Sequence, residues 1–98
     1  MKRYAKKENI VYVNICGEHL LVKTDSQDGD ESGAAVINES AAALWQQIEK
    51  PMTFQQLNTA ASEYYGADMK SSFLPTISFI TKMTEAGFLT IFDENQEG

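Results

Sequence analysis

Cys16 and His19 are the residues of this sequence that could most directly do covalent chemistry. They are the single cysteine and the single histidine of the chain. A thiol beside an imidazole can act as a nucleophile with its general base. The flanking sequence, however, predicts a β-hairpin that sets the two side chains opposite each other on the outer face of a small sheet, where nothing supplies oxyanion donors or a third group to orient the base. Two ligands are also fewer than the three or four that zinc takes from protein. We therefore predict that the chain is not an enzyme.

The acidic segment 25–33, DSQDGDESG, is the second place where chemistry could reside. Carboxylates at alternate positions are typical of calcium-binding loops. Counting from Asp25, however, Gln27 stands at position 3, Gly29 at position 5, and Asp30 where the sharp turn requires glycine. The pattern indicates a solvated acidic loop. We expect no metal and no cofactor, since nucleotide-binding and hydrolase motifs are also absent from the sequence.

The charge of the chain is unevenly distributed. Its 98 residues include 8 basic and 14 acidic ones, for a formal net charge of -6. Four basic residues lie within the first seven, whereas residues 8–98 hold the other four basic residues and all 14 acidic ones, a net charge of -10. Generic binding of nucleic acid requires clustered Lys and Arg. An acidic body therefore argues against it.

The length and the hydropathy pattern indicate one domain without a targeting segment. No run approaches the roughly 18 apolar residues of a membrane span. The basic start lacks the apolar stretch of a secretory signal. We predict a cytoplasmic protein with a basic N-terminal arm (1–9), a folded domain (10–92) and a disordered acidic tail (93–98).

Residues 10–24 have the alternating pattern of a hairpin. Gly17-Glu18 fits a type II′ turn, which needs glycine at its first central position. The resulting register places Cys16 opposite His19. The face expected to turn inward carries five aliphatic side chains: Val11, Val13, Ile15, Leu20 and Val22.

A third strand and three helices are predicted to follow. Residues 34–37 are a short apolar run, and Asn38 is a good N-cap for a helix that ends before Pro51. Thr53 opens the second helix with a capping box, and Gly66 ends it. The third helix covers about residues 69–86. The predicted class is α+β, in the order β-β-β-α-α-α.

Helix three is expected to start near Ser71, because proline is tolerated in a first turn and costs about 3 kcal/mol in a helix interior. That start places Pro75 at the first turn. The helix is apolar beyond a single stripe. Ile77, Ile80 and Thr84 share one face, while a neighbouring face carries Phe79, Met83 and Ala86.

The third strand is predicted to be an edge strand. Its four residues contain neither the Lys nor the Pro that usually blunts an edge. An open edge beside an apolar helix is the geometry of strand addition. In that mode a peptide gains backbone hydrogen bonds and places alternate side chains in a groove.

Three motifs resemble those of the PqqD-like family, the RiPP recognition elements that accompany radical-SAM and other peptide-modifying enzymes. VINESAAALWQQIE (36–49) is similar to the family's LN-x-(T/S)-A-x-x-(I/L)-W. TFQQL (53–57) is similar to T-x-x-E-(I/L), and residues 79–89 are similar to F-L-x-x-L-x-x-x-G-x-L. The resemblance covers residues 10–91.

The resemblance implies a winged-helix-like domain that binds the leader region of a ribosomally made precursor peptide as an added antiparallel strand and presents it to a modifying enzyme, such as a radical-SAM maturase. Pro75 departs from the family pattern, where an acidic residue is common, and Ser72 and Thr76 replace usual apolar residues. Carried onto this chain, the expected peptide-binding residues are four in the third strand and four in helix three: Ala34, Ala35, Val36, Ile37, Phe73, Thr76, Ile77 and Ile80.

Two other functions are compatible with the predicted helices. A winged-helix DNA-binding regulator would need a basic recognition helix, whereas residues 68–86 carry two acidic and two basic side chains. A structural adaptor would dock the enzyme without binding the peptide. The acidic loop suggests in addition that the leader has basic residues beside an apolar motif.

Overall fold

The computed structural model describes residues 1–24 and 33–93. Within these ranges the chain is α+β, with two three-stranded antiparallel sheets and three helices. The predicted loop 25–33, except Gly33, and the predicted tail after Asp93 lie outside the described residues. The elements are β1 (Lys2–Lys6), β2 (Ile10–Ile15), β3 (Glu18–Lys23), β4 (Ala34–Ile37), α1 (Glu39–Gln47), β5 (Met52–Thr53), α2 (Phe54–Tyr65), α3 (Phe73–Glu85) and β6 (Leu89–Asp93).

The β2–β3 hairpin turns one residue earlier than the sequence predicts. Cys16 and Gly17 are its central residues, with φ of 53° and 85°. Positive φ at both positions defines a type I′ turn, whose twist matches that of the strands. The side-chain oxygen of Asn14 accepts a 3.2 Å hydrogen bond from the Gly17 N–H and stabilises this turn. The predicted turn at Gly17-Glu18 is therefore wrong.

The register of the hairpin shifts by two residues as a result. Ile15 pairs with Glu18, and Val13 pairs with Leu20 instead of the predicted Val22. A two-residue shift preserves the faces of a strand, because side chains alternate with a period of two. The aliphatic side chains therefore still share one face, as predicted.

That aliphatic face points to solvent, contrary to the prediction. The inner face of the sheet is marked by Leu21, which is fully buried, and by its neighbours Tyr12 and Ala35. These side chains pack against the helices. On the opposite face, Ile15 is 56% exposed and Val36 is 65% exposed.

The N-terminal segment is part of the fold. β1 pairs with β6 over five residues and with β5 over two, which forms the sheet β5-β1-β6. Tyr4 packs against the core. Lys6 places its Nζ 4.2 Å from the ring centroid of Trp45. Partial burial lowers the pKa of Lys6, with Glu49 acting in the opposite direction. The predicted basic arm 1–9 is thus largely a strand, and the predicted β-β-β-α-α-α order omits β1, β5 and β6.

Capping residues and a first-turn proline account for the positions of the helix ends. Asn38 caps α1 by accepting a 2.8 Å hydrogen bond from the Ala41 N–H. Thr53 forms the capping box of α2, and Gly66 ends that helix with φ of 66°. In α3, Pro75 is the third residue and so lies in the first turn, where its missing N–H costs little.

One hydrophobic core joins both sheets to the helices. The buried core residues are Leu21, Leu44, Trp45, Ile48, Leu57, Ala61, Phe79, Ile80, Met83, Phe88 and Leu89.

None of the helices in the described ranges has the length and apolarity needed to cross a membrane.

Candidate functional site

The β4 strand lies at the edge of the sheet β2-β3-β4. Its inner neighbour β3 pairs with it over four residues. Within residues 1–24 and 33–93 no strand pairs with its other side. This side is the open edge predicted from the sequence.

The backbone groups that β4 offers at this edge follow from its register. The Lys23 N–H donates to the Gly33 carbonyl at 2.5 Å, which marks these residues as a hydrogen-bonded pair. Because such pairs alternate with non-bonded ones along antiparallel strands, Ala35 and Ile37 also bond to β3. The N–H and C=O groups of Ala34 and Val36 therefore point away from β3. Four backbone groups are available to an incoming strand.

A cavity of about 280 Å³ lies between β4 and the C-terminal half of α3. Apolar side chains predominate on its walls, which suits the side chains of a peptide hydrogen-bonded to the strand edge. The residues that line it are Ala35, Val36, Ile37, Asn38, Ala41, Lys82, Met83, Ala86 and Phe88.

A second cavity, of about 200 Å³, continues between α1 and α3. It shares Asn38, Ala41, Lys82 and Met83 with the first. We call the two together the β4–α3 groove. The other residues of the second cavity are Ser40, Leu44, Tyr65, Pro75, Ser78 and Phe79.

The α3 face that borders the groove differs from the one carried over by resemblance. Its residues recur at helical spacing: Pro75, Ser78, Phe79, Lys82, Met83 and Ala86. Phe79, Met83 and Ala86 form the neighbouring apolar face already noted in the sequence. Both of these α3 faces are apolar in the sequence, so apolarity alone did not show which of them borders the groove.

The four predicted helix residues lie elsewhere, and none of them lines either cavity. Thr76 is fully buried, and Ile80 belongs to the core. Phe73 packs edge-to-face on Phe54 with ring centroids 5.2 Å apart, and Ile77 is 38% exposed. Their contact with a peptide stays a prediction. Of the predicted strand residues, Ala35, Val36 and Ile37 line the first cavity, while Ala34 offers its backbone at the edge.

Buried polar contacts explain why Ser72 and Thr76 stand at positions expected to be apolar. The side-chain oxygen of Asn58 accepts a 2.6 Å hydrogen bond from Ser72 Oγ and lies 3.1 Å from Thr76 Oγ1, whose hydroxyl is also 2.8 Å from the Ser72 carbonyl. The Asn58 side-chain amide in turn donates to the Met69 carbonyl at 3.0 Å. These contacts tie α2 to the start of α3.

The Cys16 and His19 side chains do not form the pair considered from the sequence. Cys16 is exposed in the turn, and His19 pairs across the strands with Asn14. The Nδ1 atom of His19 lies 2.6 Å from the hydroxyl of Tyr12. Across residues 1–24 and 33–93, no group of three or more His, Cys, Asp or Glu side chains could hold a metal ion.

The fold has a counterpart among solved structures. No family model matches the chain, and no curated protein matches it. The structure is similar to that of TbiB1 in complex with the TbiA(beta) leader peptide, with a TM-score of 0.64 and 13% sequence identity. The match covers 96% of this chain and 99% of that one. At this level of identity the similarity shows a shared fold.

Proposed function

We propose that this chain binds the leader region of a ribosomally made precursor peptide and presents it to a peptide-modifying enzyme. The observation that carries the proposal is the open edge of β4 beside an apolar groove. The leader would add to the sheet as an antiparallel strand, hydrogen-bonded to Ala34 and Val36. The fold shared with TbiB1, a protein solved with a leader peptide, supports this role.

The groove gives the proposed strand a place for its side chains. In a strand, alternate side chains point to opposite faces, so every second residue of the leader would point toward α3. The first cavity lies directly against β4, and the second continues past Asn38 between the helices. We infer that the leader carries apolar side chains at the positions that enter these cavities.

The partner enzyme is proposed from the family resemblance, which favours a radical-SAM maturase. The same resemblance favours the winged-helix-like description of the domain. DNA binding is the weaker alternative, because α3 carries only one basic residue, Lys82, and one acidic residue, Glu85. A basic recognition helix is what phosphate contacts require.

A titration tests the proposal directly. The leader peptide of any precursor found encoded beside this gene is added to isotopically labelled protein. Backbone amides of residues 34–38 and of the groove face of α3 are expected to shift first. Shifts gathered in the basic residues of β1 instead, or no shifts at all, would contradict strand addition at β4.

A proline at position 36 tests the hydrogen-bonding pattern. Val36→Pro removes an N–H that points away from β3, so the β3–β4 ladder is retained. One hydrogen bond to the leader is lost and its acceptor is left unpaired, so we expect an affinity at least about tenfold weaker. Isothermal titration calorimetry measures the change. Val36→Ala keeps the N–H and is the matched control, with affinity within about threefold of the wild type. Equal affinities of the two variants would show that the edge is not used.

A further inference from the structure

Lys82 is the one charged side chain among the described residues that line the β4–α3 groove. It lies on α3 where the two cavities of the groove meet, because both cavities include it, together with Asn38, Ala41 and Met83. A single charge in the middle of an otherwise neutral groove discriminates among the peptides that can occupy it.

The ammonium group of Lys82 has no hydrogen-bond or ion-pair partner among residues 1–24 and 33–93. Glu85 follows three positions later on the same helix, a spacing that allows an ion pair, but the two side chains do not form one. Lys82 is exposed, so its charge is accessible to solvent. A peptide in the groove would displace part of that solvent.

Apolar side chains alone on both sides of Lys82 would be an unfavourable way to fill the two cavities. Withdrawing an ammonium group from water costs free energy unless a hydrogen-bonded partner of opposite charge replaces the water. A carboxylate is such a partner, and charge-assisted hydrogen bonds are roughly twice as strong as neutral ones. Asp and Glu are the anionic side chains of a ribosomally made peptide. The complementary leader therefore brings a carboxylate to Lys82.

The position of Lys82 along the groove follows from contacts at the two ends of β4. The Lys23 ammonium lies 5.5 Å from the ring centroid of Phe88, and Lys23 is hydrogen-bonded to Gly33. Phe88 therefore marks the end of the groove where β4 begins. Lys82 shares both cavities with Asn38, the residue that directly follows β4. Lys82 thus lies toward the end of the groove where β4 terminates.

The register of an added strand determines which leader residues face the groove. Ala35 and Ile37 pack against the core, and directly paired residues of antiparallel strands share a face. The leader residues opposite these two therefore point inward. In an antiparallel strand, the residue opposite Ile37 precedes the one opposite Ala35 by two positions. The earlier of the two lies at the Lys82 end of the first cavity, and the later one lies at the Phe88 end.

We propose that the leader bound by this chain carries Asp or Glu two residues before an apolar residue. The carboxylate pairs with the Lys82 ammonium, and the apolar side chain enters the first cavity. This inference rests on the proposed function and names the class of peptide that the groove accepts. Lys82 is then a specificity-determining residue, because a leader with a basic or uncharged side chain at the earlier position leaves its ammonium unpaired or repelled.

A double-mutant cycle between Lys82 and the leader carboxylate tests this pairing. The probe is the synthetic leader of any precursor found encoded beside this gene, with its apolar anchor located by alanine substitution. Lys82→Met removes the charge and keeps an unbranched apolar stem, so leader affinity should fall about fivefold or more at low salt. Changing the leader Asp or Glu to its amide should weaken wild-type binding to the same extent. The same peptide change should alter binding to Lys82→Met by less than about twofold, because the partner charge is already absent.

Two further variants separate the local pairing from other effects of charge. Lys82→Arg keeps the positive charge and should bind the leader within about threefold of the wild type. Lys70→Met is the matched control, because it removes the same charge from an exposed residue that lines neither cavity. Its leader affinity should stay within about twofold of the wild type. Fluorescence of Trp45 verifies that each variant folds.

Equal leader affinity of Lys82→Met and the wild type would overturn the inference, since it is the result expected if the lysine only covers apolar surface with its stem. A leader without Asp or Glu two residues before its apolar anchor would also overturn it, as would an equal loss of affinity in Lys70→Met. In these cases the leader still binds and the proposed function stands. Failure of the leader to bind the wild type would overturn the proposed function and this inference together.

Discussion

At the scale of single residues, Asn58 connects two helices through a buried side chain. Its amide both donates and accepts, so it contacts a carbonyl and two hydroxyls at once. A buried polar group without partners is costly, but these are mutually satisfied. The contacts join α2 to the first turn of α3, the helix that borders the groove.

Removing Asn58 should destabilise the fold. Asn58→Ala deprives the Ser72 and Thr76 hydroxyls of a shared acceptor and leaves the Met69 carbonyl without the amide donor. We expect the free energy of unfolding to fall by about 1–3 kcal/mol. Urea unfolding followed by Trp45 fluorescence measures it.

The neighbouring Thr59 supplies the control for that measurement. It is exposed, and its hydroxyl donates to the Gln55 carbonyl within the same helix. Thr59→Ala is expected to change stability by less than about 0.5 kcal/mol. A similar change in the two variants would show that the buried contacts add nothing.

Asp68 gives the turn before α3 a dependence on pH. Its carboxylate accepts a 2.7 Å hydrogen bond from the Ser71 N–H, which holds the pKa of Asp68 below its usual value. A lowered folded-state pKa means that the stabilisation is present above the unfolded pKa of about 4 and is lost as the pH falls through the folded one. Asp68→Asn keeps an oxygen acceptor but does not titrate. The stability advantage of the wild type over this variant should therefore shrink as the pH falls below about 4. Urea unfolding of both proteins across this range measures it, and a constant difference would contradict the role of the carboxylate.

At the scale of elements, the helix ends were predictable and the buried faces were not. The caps at Asn38 and Thr53 and the stop at Gly66 are local, because each depends on a few neighbouring residues. Which face of the β2–β3 hairpin turns inward is not local. Both faces carry apolar side chains, and packing against distant helices selects the face with Tyr12 and Leu21. The same ambiguity affects α3, where two adjacent faces are apolar.

Filling the first cavity tests which face of α3 serves the leader. Ala86 lines that cavity at the end of the helix. Ala86→Phe would place a ring where a leader side chain is expected, so leader affinity should fall about tenfold or more. Calorimetric titration with the leader measures this.

Thr81→Phe is the control for cavity filling, because Thr81 is exposed on α3 and lines neither cavity. It should bind the leader like the wild type. Unchanged affinity of Ala86→Phe would exclude the first cavity from the binding site. If affinity is lost only in variants of Phe73 or Ile77, the face carried over by family resemblance is the one in use.

At the scale of the whole molecule, the sequence predicts an extended segment near β6 but not its pairing into the sheet β5-β1-β6, because the strands of that sheet are far apart in the chain. Lys2 pairs with Asp93, more than ninety positions away. No short-range pattern reports such pairing, and four basic residues among the first seven look like a solvated arm. The fold class was accessible from periodicity, whereas the second sheet required the tertiary pairing itself.

The last prediction concerns the acidic charge of residues 25–33. The acidic connection 25–33 joins β3 to β4, and its last residue, Gly33, directly precedes the strand to which the leader is proposed to bind. If the leader carries basic residues, neutralising this segment with Asp28→Asn/Asp30→Asn/Glu31→Gln should weaken leader binding at low salt. The loss should disappear near 1 M salt, where the screening length falls to about 3 Å. Leader titrations at both salt concentrations measure it, with Glu94→Gln/Glu97→Gln as a control that removes acidic charge from the C-terminal end. Equal affinity of the triple variant and the wild type at low salt would limit the acidic connection to a role in solubility. An equal loss of leader affinity in the control variant would show that net charge alone causes the effect.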